Sequence, residues 1–140
     1  MKKEIIFRGK TKLNEWIYWN EYGGMVDENG NPKAYNIDMI RVIYIDTAKR
    51  FLLPETVGQF TGLTDKNGKK IFEGDIVTGL FLHSMPVNGI AAFRDGSFGL
   101  LWDRAGAETF NAFTSMCNVE YEVIGNIHDN KELIKAGDLK

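Results

Sequence analysis

Gln59-Phe60-Thr61-Gly62-Leu63-Thr64-Asp65-Lys66-Asn67-Gly68-Lys69-Lys70-Ile71-Phe72-Glu73-Gly74-Asp75-Ile76-Val77 holds a strand, a tight turn, a second strand and another sharp turn in nineteen residues. Phe60 and Leu63 open the segment. Asp65-Lys66-Asn67-Gly68 then supplies a hairpin turn in which Asn67 and Gly68 are expected to take positive φ at little steric cost. Ile71 and Phe72 resume the apolar run, Glu73-Gly74-Asp75 breaks it at a second glycine, and Ile76-Val77 begins another β-branched strand. Short strands on short turns favour a small, strongly bent antiparallel sheet.

The same pattern extends in both directions. Towards the N-terminus, Ile5-Ile6-Phe7 reads as a first strand. Trp16 to Tyr22 alternates, with Trp16, Tyr18 and Tyr22 on one face and Ile17 and Trp19 on the other, so both faces carry aromatics. Asp27-Glu28-Asn29-Gly30-Asn31-Pro32 is a loop signal, and Met39 to Ile45 alternates as a further strand. Ala48 to Pro54 is a connector, and Pro54 argues against a helix running into Glu55. Towards the C-terminus, Leu80-Phe81-Leu82, a loop around Ser84 to Gly89, Ile90 to Phe93, an Asp95-Gly96 turn and Phe98 to Trp102 read as a meander. Arg104 to Glu108 fits either a loop or one poor helical turn. Val119 to Ile127 alternates, with Val119, Tyr121, Val123, Gly125 and Ile127 on the buried side, and Asp129 with Glu132 has the spacing of a capping box for a short C-terminal helix.

Fifteen glycines against three prolines, with nine Phe, five Tyr and three Trp in 140 residues, fit a turn-rich β chain better than a helical bundle. Seventeen basic and nineteen acidic residues leave a formal charge of −2, so there is no global attraction to nucleic-acid phosphates. The single cysteine, Cys117, forms no intrachain disulfide. Met1-Lys2-Lys3-Glu4 lacks the apolar run of a signal peptide, and no run reaches the length of a membrane span, so a cytoplasmic protein is expected.

The chain resembles the YopX family of phage and prophage proteins. The likeness rests on Pro54-Glu55-Thr56-Val57-Gly58-Gln59-Phe60-Thr61-Gly62-Leu63, on Asp65-Lys66-Asn67-Gly68 followed by Ile71-Phe72-Glu73-Gly74-Asp75-Ile76-Val77, and on Val123-Ile124-Gly125-Asn126-Ile127. Ile5-Ile6-Phe7-Arg8 followed by Trp16-Ile17-Tyr18 extends it over most of the chain. The resemblance implies a mainly β protein with an SH3-like barrel. It implies no assigned biochemical function and transfers no catalytic residues. The expected organisation is an N-terminal β-hairpin region over 1–55, the barrel over 56–128, and a short helix and tail over 129–140.

Each candidate site has a structural reading beside it. Glu73 and Asp75 flank Gly74 as an acid–base or metal pair, but Asp next to Gly is favoured in turns by its side-chain to backbone hydrogen bonds. His83, His128 and Cys117 are zinc-type ligands without ligand spacing, and Cys117 beside Met116 reads as a small apolar residue. Gly96-Ser97-Phe98-Gly99 lacks the lysine of a P-loop and the third glycine of a dinucleotide fingerprint, and reads as a hairpin turn. Lys66, Lys69 and Lys70, with Phe60 or Phe72, combine cations and rings as single-stranded nucleic-acid sites do, but lysines at a turn also serve as a solvated tip. Trp16, Tyr18, Trp19 and Tyr22 are candidate interface residues, since Trp and Tyr bury large area at low entropic cost, and the alternative is a shared core.

No convergent catalytic set emerges, and no cofactor or metal is expected. The leading expectation is a non-enzymatic protein-binding module that self-associates as a homo-oligomer with no membrane association. A nucleic-acid-binding barrel using the lysine turn is the first alternative. An enzyme using Glu73, Asp75 and His128 is the second.

Overall fold

The computed structural model describes residues 4–32, 52–81, 85–113 and 121–134. The expected strand Met39 to Ile45, together with His83 and Cys117, lies outside the described residues. The chain divides into two compact units, Met1–Phe60 and Thr61–Lys140.

The described residues form ten strands: β1 Ile6–Lys10, β2 Trp16–Asn20, β3 Met25–Val26, β4 Gly58–Thr64, β5 Lys70–Phe72, β6 Asp75–Phe81, β7 Met85–Arg94, β8 Ser97–Arg104, β9 Ala107–Ala112 and β10 Glu122–Asn126. They make two antiparallel five-stranded sheets, ordered β3-β2-β1-β4-β5 and β10-β6-β7-β8-β9. The protein is mainly β, as the turn spacing predicts. Both sheets are open, with two edges each, in place of the closed SH3-like barrel expected over 56–128: β10 pairs with β6, while β4 and β5 extend the other sheet.

Four of the short connections follow one rule. In Thr11–Glu15, Asn20–Gly24, Asp27–Asn31 and Asp65–Lys69 the amide of the first residue donates to the carbonyl of the fifth, and the amide of the fourth donates back to the first. In all four the first side chain accepts from the amides of the third and fifth residues, through Thr11 Oγ1, Asn20 Oδ1, Asp27 Oδ1 and Asp65 Oδ1. The fourth residue always has positive φ: Asn14, Gly23, Gly30 and Gly68. This is a type I turn closed by a left-handed residue, the geometry that lets a hairpin reverse without splaying its strands. Asn67, expected at positive φ, is the third residue and stays on the ordinary side; only Gly68 crosses over.

In the first unit, β1 pairs with β2 from Ile6↔Asn20 to Lys10↔Trp16. Pro54–Thr56 forms a 3-10 turn with the proline in its first turn, where the missing amide costs nothing. Its Thr56 hydroxyl receives the Lys10 amide and donates to the Leu53 carbonyl, pinning the turn to the end of β1.

In the second unit, Ile71, Val77, Ala91, Leu100, Trp102 and Phe113 form the buried cluster, with Val87, Phe98, Tyr121 and Val123 packed against it. The Trp102 indole donates to Asn111 Oδ1 at 2.7 Å, so this large side chain is buried without stranding its donor. The ambiguous stretch Arg104 to Glu108 is a two-residue hairpin: Ala105 and Gly106 have φ of 51° and 88°, repeating Asp95 and Gly96 at 51° and 84°. Of the loop expected around Ser84 to Gly89, Met85 to Gly89 are instead the start of β7, and Ser84 lies outside the described residues. The strand runs through Pro86, which is tolerated because pairing with β8 begins only at Ile90.

This sheet is strongly coiled. Arg94 stands beside Ser97 at one end of β8 and Glu108 beside Asp103 near the other, positions about 20 Å apart along a flat strand. Their side chains nevertheless meet at 3.3 Å, which requires the sheet's twist to bring opposite corners together over one face.

Among the described residues the expected C-terminal helix is a single 3-10 turn, Lys131–Leu133. The capping box fails for a local reason. Asn126 Oδ1 takes the amides of His128 and Asp129, and the Asp129 carboxylate turns back to Asn126 Nδ2, so neither side chain caps a following helix.

Candidate functional site

The lysine-bearing turn is built around Asp65. One carboxylate oxygen accepts the amides of Asn67 and Lys69, closing the loop, and the other accepts the amide of Val123 in β10 at 3.0 Å. The Lys66 amide donates to the Tyr121 carbonyl at 2.9 Å. The tip is therefore fastened along the outer side of β10. Burial pushes the Asp65 pKa up, but the three amides and the charge of Lys69 outweigh it and hold the carboxyl below its ordinary value.

The three lysines are placed differently. Lys66 and Lys69 are exposed and Lys70 is half-buried, and Lys66 Nζ meets Glu122 at 3.4 Å. Phe60 and Phe72 are buried, so neither offers a face for base stacking beside these cations.

Gly74, at φ 88°, bridges Glu73 and Asp75. Its amide donates to the Ala91 carbonyl and its own carbonyl accepts from Ile127. A side chain built at Gly74 would reach 3.6 Å from His128 Nε2, so the fold does bring His128 to the turn between the two carboxylates. Asp75, only 2% exposed, receives the Phe72 amide at 2.8 Å. That is the turn-closing role that an Asp beside a Gly favours. Among the described residues no group of three or more His, Cys, Asp or Glu side chains is arranged to hold a metal ion.

The N-terminal aromatics separate into packed and open residues. Trp19 stacks on Phe7, with ring centroids 6.1 Å apart, and lies against Gly9. Trp16, half-buried, has the Arg8 guanidinium 4.7 Å from its ring centre and the Lys10 ammonium 5.9 Å away. Arg8 and Lys10 are 5% and 8% exposed, and a ring face is one of the few apolar surfaces that favours a cation. Tyr18 is half-buried, whereas Tyr22 is 86% exposed. Tyr22 and the exposed Leu13 occupy the third position of two loops at opposite ends of β2, so they do not make one continuous patch.

Sequence reasoning missed Arg8 and Lys10. Their signal was the alternation Ile6, Arg8, Lys10, which places both cations on the face that bears Trp16. Sequence reasoning placed Tyr121 on the buried side but did not foresee that its hydroxyl is buried without a hydrogen-bond partner, with its ring edge-on to Phe113 at 5.0 Å. Burial pushes the Tyr121 pKa up to about 12.

The YopX protein family model matches residues 6–135, nearly the whole chain, and the chain belongs to this family. Membership points to a phage-type protein of uncharacterised function. No curated protein matches the chain. Among the described residues no helix is long and apolar enough to cross a membrane.

Proposed function

We propose that the chain is a non-enzymatic accessory protein of the phage type, working in the cytoplasm of a bacterial host, which binds another protein and self-associates. The observation that carries this reading is the pair of open sheets. An exposed strand edge is a row of donors and acceptors that a second chain can complete, and proteins that keep such an edge either blunt it or use it. The engagement of Asp65 and Asp75 by backbone amides supports a structural rather than a catalytic role for these carboxylates. Tyr22 adds an exposed ring of the kind found at protein interfaces.

Light scattering on the purified chain over a wide concentration range tests self-association. The expected result is a mass above that of one chain, rising with concentration; a single-chain mass throughout removes this part. Affinity capture from host lysate, with a Tyr22→Ala variant as comparison, tests the partner. A specific protein retained by the native chain and lost from the variant is expected, and identical profiles count against Tyr22.

A further inference from the structure

We propose that two copies of this chain pair edge to edge through β9, antiparallel about a two-fold axis at Thr109, joining two five-stranded sheets into one of ten strands. This rests on the self-association proposed above and assigns it a surface.

The Ala105-Gly106 turn fixes which backbone groups of β9 point outward. A two-residue hairpin loop makes its flanking residues, Arg104 and Ala107, a hydrogen-bonded pair, and the pairing then alternates along the ladder. Trp102↔Thr109 and Leu100↔Asn111 are hydrogen-bonded pairs, whereas Asp103↔Glu108 and Leu101↔Phe110 are not. The backbone N–H and C=O of Glu108 and Phe110 therefore point away from β8, to the outer edge. Among the described residues none supplies them with a partner.

Among the described residues the other edges are shorter or already engaged. On β10 the Val123 amide goes to Asp65, the Tyr121 carbonyl to Lys66 and the Asn126 amide to Asn130, and a register shift between Val123 and Gly125 twists the strand. β3 is two residues long, and in β5, three residues long, the Phe72 amide goes to Asp75. β9 has six residues, no proline and no register shift, and its one charge, Glu108, turns to Arg94 of its own sheet.

The sequence of β9 selects the second copy as occupant and also the register. Centring the axis on Thr109 sets Glu108 opposite Phe110 of the other copy, twice, and gives four main-chain hydrogen bonds. Thr109 then faces its symmetry mate in a non-hydrogen-bonded pair, a favourable cross-strand combination. Centring on Glu108 instead puts two carboxylates directly opposite each other, which is destabilising. Centring on Phe110 requires the outward groups of Ala112, a residue already engaged elsewhere.

Cysteine cross-linking tests the register. In a Cys117→Ser background, Thr109→Cys places two thiols where facing Cα atoms are about 4.5 Å apart, within disulfide reach, and mild oxidation is expected to give a covalent dimer. Glu108→Cys is expected to remain uncross-linked, because Glu108 faces Phe110 of the partner copy. Glu108→Pro removes an outward amide and breaks no backbone hydrogen bond within the sheet, losing only the solvent-exposed ion pair with Arg94, which Glu108→Ala removes alone as the control. The proline variant is expected to weaken dimerisation at least about tenfold in Kd through two lost hydrogen bonds while leaving the fold's circular dichroism unchanged. If light scattering shows a dimer but Thr109→Cys does not cross-link and Glu108→Pro dimerises like the native chain, the β9 assignment is overturned and self-association stands at another surface. If the native chain is a monomer at every concentration, both fall.

Discussion

Asp65 shows how much one side chain can organise. Its two oxygens serve three amides, two in its own loop and one in β10, 58 residues away. Asp65→Ala removes both acceptor oxygens and is expected to cost about 1–3 kcal/mol, since the three amides are part-buried and water can serve them in part. Asp65→Asn keeps only part of this set, because one oxygen becomes a donor, and should fall between. The carboxyl is held below its unfolded value of 3.8, so its stabilisation is present above that pH and is lost as pH falls through the folded pKa. Urea midpoints at pH 3 and pH 7 check this: the native chain should lose more stability on acidification than Asp65→Asn. Tyr121 has the opposite sign. Its pKa rises from 10.0 to about 12, so its contribution is intact below pH 10 and disappears as pH climbs towards 12. Tyr121→Phe removes a buried hydroxyl that has no partner, and should leave stability at pH 7 unchanged or higher by about 1 kcal/mol, with a weaker alkaline decline.

At the scale of elements, the recurring five-residue loop explains why the turns could be read from sequence and some details could not. Asp or Asn at the first position and Gly at the fourth are local requirements, met by Asn20/Gly23, Asp27/Gly30 and Asp65/Gly68; the last two read as turns, whereas the alternation of Trp16 to Tyr22 reads as a strand across Asn20, where β2 ends and Tyr22 enters the loop. Thr11-Lys12-Leu13-Asn14-Glu15 forms the same loop without glycine, and so carries no glycine signal. Ala105→Gly should raise Tm by relieving a left-handed backbone, since a methyl-bearing residue sits at φ 51°, whereas Asn14→Gly should change little because asparagine tolerates this region. The Ala105→Gly gain is expected at about 1 kcal/mol, and thermal melts of the two single variants check it. Gly68→Ala meets no neighbouring atom and should lose about the same amount from backbone strain alone. The C-terminal helix fails in the reverse way: its capping spacing is present, but Asn126 takes the amides and the carboxylate of Asp129 first.

For the whole molecule, the net charge of −2 and the Lys66–Glu122 contact set the expectation for nucleic acid. A gel shift with single-stranded oligonucleotides at physiological salt should show no retardation, and a Lys66→Glu, Lys69→Glu, Lys70→Glu triple variant should behave like the native chain. Salt-dependent retardation that this variant abolishes would revive the lysine turn as a binding site.

The sequence alone determined the β class, the positions of most turns and the family, because backbone preference and alternation act over a few neighbouring residues. It also placed Glu73, Asp75 and the lysines on turns. Tertiary structure decided what those residues face. Asp65 binds along the edge of β10, His128 lies against Gly74, Arg8 and Lys10 are buried beside Trp16, and the outward backbone groups of Glu108 and Phe110 in β9 meet no partner among the described residues. These outcomes depend on which strands become neighbours. Strand pairing is a contest among distant segments for the same donors and acceptors, and no local pattern records which of them wins.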